Sequence, residues 1–195
     1  MRIIRGKRKA KILHPPINLE VRPTTDMAKV GLFNVIENAW EMEGLHVLDL
    51  FAGTGSISFE FISRGSAEVI AVDNNPRCID WMYEASQEMG FDNLFVVNAD
   101  VFSYLQKPLQ HFDIIFADPP YGLPRTISIP DLIFQHHFLY PGGWLIIEHP
   151  KEINFSQHPF FMRKKNYGRV NFSFFSDEIS QGAESAETEM SSSSK

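Results

Sequence analysis

Between Gly44 and His149 the chain alternates short apolar runs with segments of helical period, and this alternation restricts the fold more than any other feature. The runs are HVLDLF (46–51), EVIAVD (68–73), NLFVVN (93–98), FDIIFA (112–117) and GWLIIEH (143–149). Strands this uniformly apolar are buried on both faces, the condition of a parallel sheet covered by helices on each side. The intervening segments supply those helices. SISFEFISR (56–64) is closed by Gly65, and PRCIDWMYEASQEM (76–89) has Asn75 to cap it and Gly90 to stop it. TISIPDLIFQHHFL (126–139) contains a helix with Pro130 in its first turn. Two weaker strands, about 159–165 and 169–175, follow and are joined by NYG (166–168). The predicted class is therefore α/β, a mostly parallel sheet with helices on both faces.

Upstream, RPTTD (22–26) reads as a helix entry: Pro23 fixes φ, and Thr24, Thr25 or Asp26 caps. Val30, Phe33, Ile36 and Trp40 then carry the helix to about Trp40. Residues 1–13 mix basic and apolar positions, as a short hairpin or a flexible arm would. From Asp177 the composition turns to Glu, Ser, Ala and Thr, too polar to bury surface against its ordering entropy, so disorder is expected. The predicted organisation is a basic arm over 1–22, one domain over 23–176 and an acidic, Ser-rich tail over 177–195.

The single Cys78 excludes a disulfide framework and a cysteine zinc cluster within the chain. No apolar run approaches the ~18–20 residues of a membrane span. The start, MRIIRGKRK, is basic but lacks the apolar stretch of a secretory signal, so a cytoplasmic protein is expected. The net charge of −6 argues against a polyanionic partner until its distribution is read. Residues 1–30 carry +6, residues 31–150 carry −12 and residues 151–175 carry +4. A basic rim around an acidic centre is compatible with nucleic acid.

In a doubly wound sheet, ligands bind at the carboxyl ends of the strands. Asp49 lies in the first strand and the Gly53/Gly55 turn follows it. Asp73 ends the second strand, Asp100 follows the third and Asp118 the fourth. LDLFAGTGS (48–56) is a strand, a glycine turn and a helix start, which brings backbone N–H groups close to a ligand. It is an incomplete G-x-G-x-x-G, because Ser58 stands at the third glycine. Asp73 suits a ribose diol and Asp100 an adenine amino group. That reading fits an NAD-like dinucleotide and S-adenosylmethionine equally well. No G-K-[ST] follows the loop, which disfavours ATP.

Asp118 is followed by Pro119 and Pro120, which lack N–H donors and fix φ. Their carbonyls and the Asp118 carboxylate make an acceptor-only cluster suited to an –NH₂ group. Tyr121 adds a stacking face worth roughly 1–3 kcal/mol for a nucleobase. Two acceptors on an exocyclic amine favour a pyramidal nitrogen with a localised lone pair, able to attack a methyl group held in line.

FAGTG and DPPY together resemble the amino-group branch of the S-adenosylmethionine-dependent class I methyltransferases. MRIIRG (1–6), RPTTD (22–26), LFN (32–34), LDLFAGTGSISFE (48–60), SRG (63–65), DPPY (118–121) and YG (167–168) narrow the resemblance to the RsmD-type 16S ribosomal RNA guanine-N2 methyltransferases. The resemblance covers about residues 1–175. It implies a Rossmann-like, seven-stranded class I fold ending in a β-hairpin, with S-adenosylmethionine as donor. It implies 16S rRNA or the assembling small subunit as partner, bound in part by the basic arm. Carried over, Asp49, Phe51, Gly53, Gly55, Asp73, Asn74, Asp100, Val101 and Asp118 hold the cofactor. Asp118, Pro119 and Tyr121 are catalytic, and Arg2, Arg5, Lys7, Arg22, Thr24 and Tyr121 meet the substrate. Two departures stand out. Ala10 occupies a position where the family often has a second glycine after Gly6. Lys29-Val30-Gly31 lacks the acid that often precedes LFN.

Two other functions remain to be weighed. A DNA adenine or cytosine amino-methyltransferase would share DPPY, though residues 122–142 leave little room for a target-recognition region. A non-catalytic S-adenosylmethionine-binding module would keep the fold without the transfer. No metal is expected, since His136 and His137 read as a partly exposed helix face. His149 reads as a strand end, and Phe172, Phe174 and Phe175 read as core. Arg163, Lys164 and Lys165 fit a phosphate patch or a solvated strand end equally. A monomer is the default expectation.

Overall fold

The apolar runs form parallel strands β1 (His46–Leu50), β2 (Glu68–Asp73), β3 (Leu94–Asn98), β4 (Phe112–Ala117) and β5 (Leu139–His149) in a computed structural model describing residues 1–16, 19, 26–106, 110–168 and 170–178. Two further strands, β6 (Phe161–Tyr167) and β7 (Val170–Phe175), make an antiparallel hairpin, and β7 pairs antiparallel with β5. The seven strands lie in the order β3-β2-β1-β4-β5-β7-β6. The predicted class holds, hairpin included. Among the described residues no helix is long and apolar enough to cross a membrane.

Period-two alternation along the strands sends side chains to two cores. Val47, Val69, Ala71, Ile114, Phe116, Ile146, Phe172 and Phe174 face α1 (Asp26–Glu37), α2 (Ser56–Arg64) and α3 (Pro76–Met89). Leu48, Val72, Ile115, Leu145, Ile147 and Phe175 face α4 (Val101–Tyr104) and α5 (Ile129–Gln135). The three C-terminal phenylalanines are fully buried, as read from the sequence.

Local chemistry moved several boundaries. The first helix stops at Glu37, short of Trp40, because Trp40 leaves the helix to stand edge-on against Trp144 at 5.9 Å. The segment 126–139 is not one helix. A 3₁₀ turn (Pro124–Ser128) precedes α5, with Pro130 in its first turn. The chain then turns at His137 (φ 54°), and Leu139 is drawn into β5 opposite Phe112. The hairpin strands begin one or two residues later than expected; β6 also ends two residues later, taking in Asn166 and Tyr167, whereas β7 ends at Phe175 as expected. Tyr167 donates its hydroxyl to the Gly31 carbonyl at 3.1 Å, fastening the hairpin to α1.

The arm is a hairpin. Ile3 donates to the Lys11 carbonyl (3.0 Å), Ala10 to the Ile3 carbonyl (2.9 Å) and Leu13 to the Met1 carbonyl (2.9 Å). It lies on the ends of α2 and α3. A side chain at Gly6 (φ 85°) would place Cβ 1.7 Å from the Ser63 carbonyl oxygen, so only glycine fits there. Glu60, wholly buried, accepts the backbone N–H groups of Ile4 (2.8 Å) and Arg5 (3.0 Å) and the Arg64 guanidinium (2.8 Å). Lys29, 1% exposed, donates to the Arg2 carbonyl at 2.6 Å and to Ser56 Oγ at 3.2 Å, with Glu60 at 3.8 Å. Burial pulls the Lys29 ammonium below its ordinary pKa, and Glu60 opposes that pull.

Candidate active site

A cavity of about 620 Å³ opens at the carboxyl ends of the parallel strands. The strand order sets its chemistry. Asp100, Asp73, Asp49 and Asp118 stand on or after β3, β2, β1 and β4, which are consecutive neighbours in the sheet. The expected arc of carboxylates is therefore continuous. Glu148, near the end of β5, extends it by one strand.

Each acid is held differently. Asp49 is 1% exposed, and its Oδ2 accepts the N–H (3.1 Å) and the hydroxyl of Ser58. Ser58, which breaks the glycine fingerprint, is thus the residue that orients Asp49. Burial pushes the Asp49 carboxyl up to about 7. Asp73 accepts from Gly53 N–H through Oδ2 and from Asn75 N–H through Oδ1, both at 2.8 Å. The Gly53 N–H is therefore turned toward Asp73, and the loop serves to aim that carboxylate. Asp100 caps α4, its Oδ1 accepting from Ser103 N–H at 2.9 Å. Asp118 donates its own N–H to the Leu50 carbonyl at 3.3 Å, which ties the end of β4 to β1.

Asp49, Phe51, Gly53, Asp73, Asn74, Asp100, Val101, Asp118, Pro119 and Tyr121 all line the cavity. Phe51 does so in a left-handed conformation (φ 61°), with its ring edge-on to Phe102 at 6.1 Å. Backbone strain of this kind gathers at ligand sites. Tyr121 is 44% exposed. Gly55 is absent from the lining; its missing side chain makes room for Met82 Sδ, which a Cβ would meet at 2.9 Å. Arg2, Arg5 and Lys7 lie on the arm, away from the cavity wall. Arg2 pairs with Asp26 (3.1 Å) and Arg5 with Glu37 (2.9 Å). Arg22 and Thr24 lie outside the described residues.

Sequence reasoning missed Phe102, Leu123, Arg125, Glu148 and Val170 in the lining. The Arg125 guanidinium sits 3.7 Å above the Phe102 ring. Glu148 had a usable signal, because it ends an apolar strand as Asp118 does. Phe102 lies in the four-residue α4, Leu123 and Arg125 at the 3₁₀ turn and Val170 at the start of β7, places that strand periodicity does not point to.

The family described as conserved hypothetical protein 95 matches residues 1–176. The chain belongs to this family. A relative from Buchnera aphidicola, named ribosomal RNA small subunit methyltransferase D, is 30% identical over 158 residues, covering 79% of this chain and 78% of its own. The RsmD-type resemblance is thereby borne out. Among solved structures, a hypothetical protein of Thermus thermophilus superposes with a TM-score of 0.79 at 23% identity, over 90% of this chain and 99% of its own. A Thermus thermophilus 16S rRNA N2 methyltransferase, RsmC, solved with AdoMet and guanosine, gives 0.66 at 17% identity, over 82% of this chain and 45% of its own. These two likenesses bear on the fold, which is the class I methyltransferase fold.

The cavity fits S-adenosylmethionine by its own chemistry. Its volume is that of a small-molecule pocket. Among the described residues, buried Asp49 is held by Ser58 and has no cation beside it. A ligand bearing positive charge would complete it. Asp73 and Asp100 supply acceptors on neighbouring strands for hydroxyl and amino groups.

Proposed function

We propose that this protein transfers the methyl group of S-adenosylmethionine to the exocyclic N2 amine of a guanine in 16S ribosomal RNA. One observation carries the reading: the Asp118-Pro119-Pro120-Tyr121 turn lines the same cavity as the Asp49, Asp73 and Asp100 arc. The group proposed to accept an amine and the groups proposed to hold a methyl donor therefore share one wall. The name of the Buchnera relative supplies the RNA class.

The cofactor, when bound, supplies an electrophilic methyl group on a sulfonium centre. Asp73 and Asp100 would hold its ribose and adenine, with Phe51, Asn74 and Val101 beside them, and Asp49 would balance its positive charge. Asp118 and the Pro119 carbonyl would accept the two amine hydrogens, which localises the nitrogen lone pair. The prolines hold both acceptors still, so the ordering cost is met in folding rather than in the transition state. Tyr121 would stack on the extruded base. The methylated amine would then pass its surplus proton to solvent, as the donor leaves as the neutral thioether.

The basic arm would meet RNA through Lys7 at the exposed hairpin turn. Arg2 and Arg5 are engaged with acids of α1 and would contribute by holding the arm in place. Arg22 and Thr24 would act in closing the site. Cytoplasmic action on 16S rRNA or on the assembling subunit belongs to the same proposal.

The test is transfer from labelled S-adenosylmethionine to naked 16S rRNA, to small subunits lacking the modification and to duplex DNA, with nucleoside analysis of the product. N2-methylguanosine in RNA, lost in Asp118→Ala, is the expected result. Methyladenine or methylcytosine in DNA would overturn the substrate. Cofactor binding without any transfer would favour a binding module.

A further inference from the structure

We propose that Glu148 reads the Watson–Crick edge of the target base and restricts the site to guanine, an inference that rests on the function proposed above. DPPY alone recognises an amine, and guanine, adenine and cytosine all have one. A second group must tell them apart.

The sheet places Glu148 where such a group is needed. β4 and β5 pair Phe116 with Ile146 and Ala117 with Ile147. One step further along both strands, Asp118 comes beside Glu148. Phe116 and Ile146 lie in the same core, and period two sends Asp118 and Glu148 to that same face. Both acids line the cavity, and Glu148 is 5% exposed. Glu148 is also held from its other side, paired with Phe172 of β7. Just beyond it, His149 is fixed through Nδ1 on the Pro150 carbonyl and Nε2 on Ser173 Oγ, both at 2.8 Å, and Asn171 donates to the His149 carbonyl at 3.2 Å. A carboxylate between two paired strands is a more rigid reader than one on a loop. Asp113, at the opposite end of β4, shows the contrast: it accepts the His46 N–H at 2.7 Å and has no part in the cavity.

The bases differ at the position next to the amine. Guanine presents its N2 amine beside N1–H, two adjacent donors. Adenine presents its amine beside the N1 lone pair, and cytosine beside the N3 lone pair. A carboxylate only accepts. With the amine on Asp118, Glu148 would take the guanine N1–H but would face a lone pair on either other base. Two acceptors side by side thus match guanine alone, and the discrimination comes as much from repulsion as from attraction.

The experiment uses RNA in which the target guanosine is replaced by 2-aminopurine ribonucleoside. That base keeps the 2-amine, exchanges N1–H for a lone pair and lacks the 6-oxo group, so the variant, not the parent alone, assigns the preference to Glu148. The parent protein is expected to favour guanine in kcat/KM by roughly 10- to 100-fold, the scale of one well-placed base contact. Glu148→Gln, whose amide can donate to N1, should collapse that ratio while S-adenosylmethionine affinity and Tm are retained. A purely structural role for Glu148 would lower activity on both bases and leave the ratio alone. A parent that methylates guanine N2 but accepts 2-aminopurine equally overturns this inference and leaves the proposed function standing. So does a Glu148→Gln protein that keeps the parent ratio. If Glu148→Gln fails to fold, the ratio is read in Glu148→Asp, whose shortened carboxylate should lower it. A parent that methylates no guanine overturns both.

Discussion

Glu60 and Asp49 are both buried carboxylates, and they sit in opposite surroundings. Glu60 lies where the arm meets α2 and is surrounded by donors from its own chain: the N–H groups of Ile4 and Arg5, the Arg64 guanidinium and, farther off, the Lys29 ammonium. Asp49 has Ser58 on one oxygen and borders the cavity. Burial without a cation drives its carboxyl up to about 7. The first region is chemically complete and holds the fold together. In the proposed function, a cationic ligand would complete the second. Among buried acids, the unfilled one marks the site.

Breaking the complete region should give the largest effect on stability. Glu60→Gln keeps the shape but places an amide donor among backbone and guanidinium donors. Disrupting a buried ion network by one partner costs about 3–5 kcal/mol. In a chain of this size each kcal/mol is worth about 2–4 °C in Tm. Thermal denaturation should therefore show a loss of roughly 10 °C, by the same scaling. A Tm within 2 °C or so of the parent would mean that the junction carries little of the fold, on that scale.

The cavity should answer in the reverse way. Asp118→Ala removes an acceptor from the proposed amine pocket at a half-buried position on the cavity wall. Methyl transfer should fall by roughly 10²–10³, the usual cost of deleting one group that stabilises developing charge. Tm and cofactor affinity should stay close to the parent. Calorimetric binding beside single-turnover transfer separates the two, and loss of cofactor binding together with rate would place Asp118 in the donor half of the site.

The contrast also explains what the sequence disclosed. Four of the five acids in the arc were legible because an apolar strand followed by an acid has one meaning in a parallel α/β sheet. Asp113 and Glu148 show where this logic needs topology. Each is an acid in an apolar run, yet one sits at the start of β4 and the other at the end of β5. Only the end borders the cavity. Ser58 looked like a defect in a glycine motif and proved to be the partner of Asp49. The four residues of α4 are too few for a period, and their helix exists because Asp100 caps it. The arm gave two readings, hairpin or flexible, because its fastening is made by α2 and α3 rather than by local pattern.

The Asp49 carboxyl allows a sharper test through pH. With a folded pKa of about 7 against an ordinary 3.8, the neutral form is favoured in the cofactor-free fold. Between those values the unfolded chain has lost the proton and the folded chain has kept it. This group's contribution to stability therefore falls as pH rises from about 4 to about 7 and is flat above. Cofactor binding has the opposite sign, because a cation requires the ionised form. Affinity should climb by up to about tenfold per pH unit below 7 and level off above it. Titration calorimetry in buffers of different ionisation heat should detect proton release at pH 6. Asp49→Asn should flatten the profile, and a slope that survives the substitution would assign the proton to another group.

The smallest expected effect refines the complete region. Ala10 adopts φ 68° in the arm hairpin, four residues after Gly6 at φ 85°. The family often has glycine at this second position, and the backbone shows why. A left-handed residue with a Cβ costs about 1–2 kcal/mol, whereas glycine adopts that conformation freely but loses roughly 0.5–1 kcal/mol more in chain entropy on folding. Ala10→Gly should therefore stabilise by about 0–1.5 kcal/mol, the difference of those two terms. A rise of a few degrees in Tm, on the scale of about 2–4 °C per kcal/mol, would confirm that the strain is held at the turn by the Ile3 and Lys11 hydrogen bonds. A fall would mean that the methyl of Ala10 contributes packing that outweighs its backbone strain. In the background of Glu60→Gln the same substitution should lose its benefit, because a hairpin no longer seated on α2 is free to relax the turn that glycine would relieve.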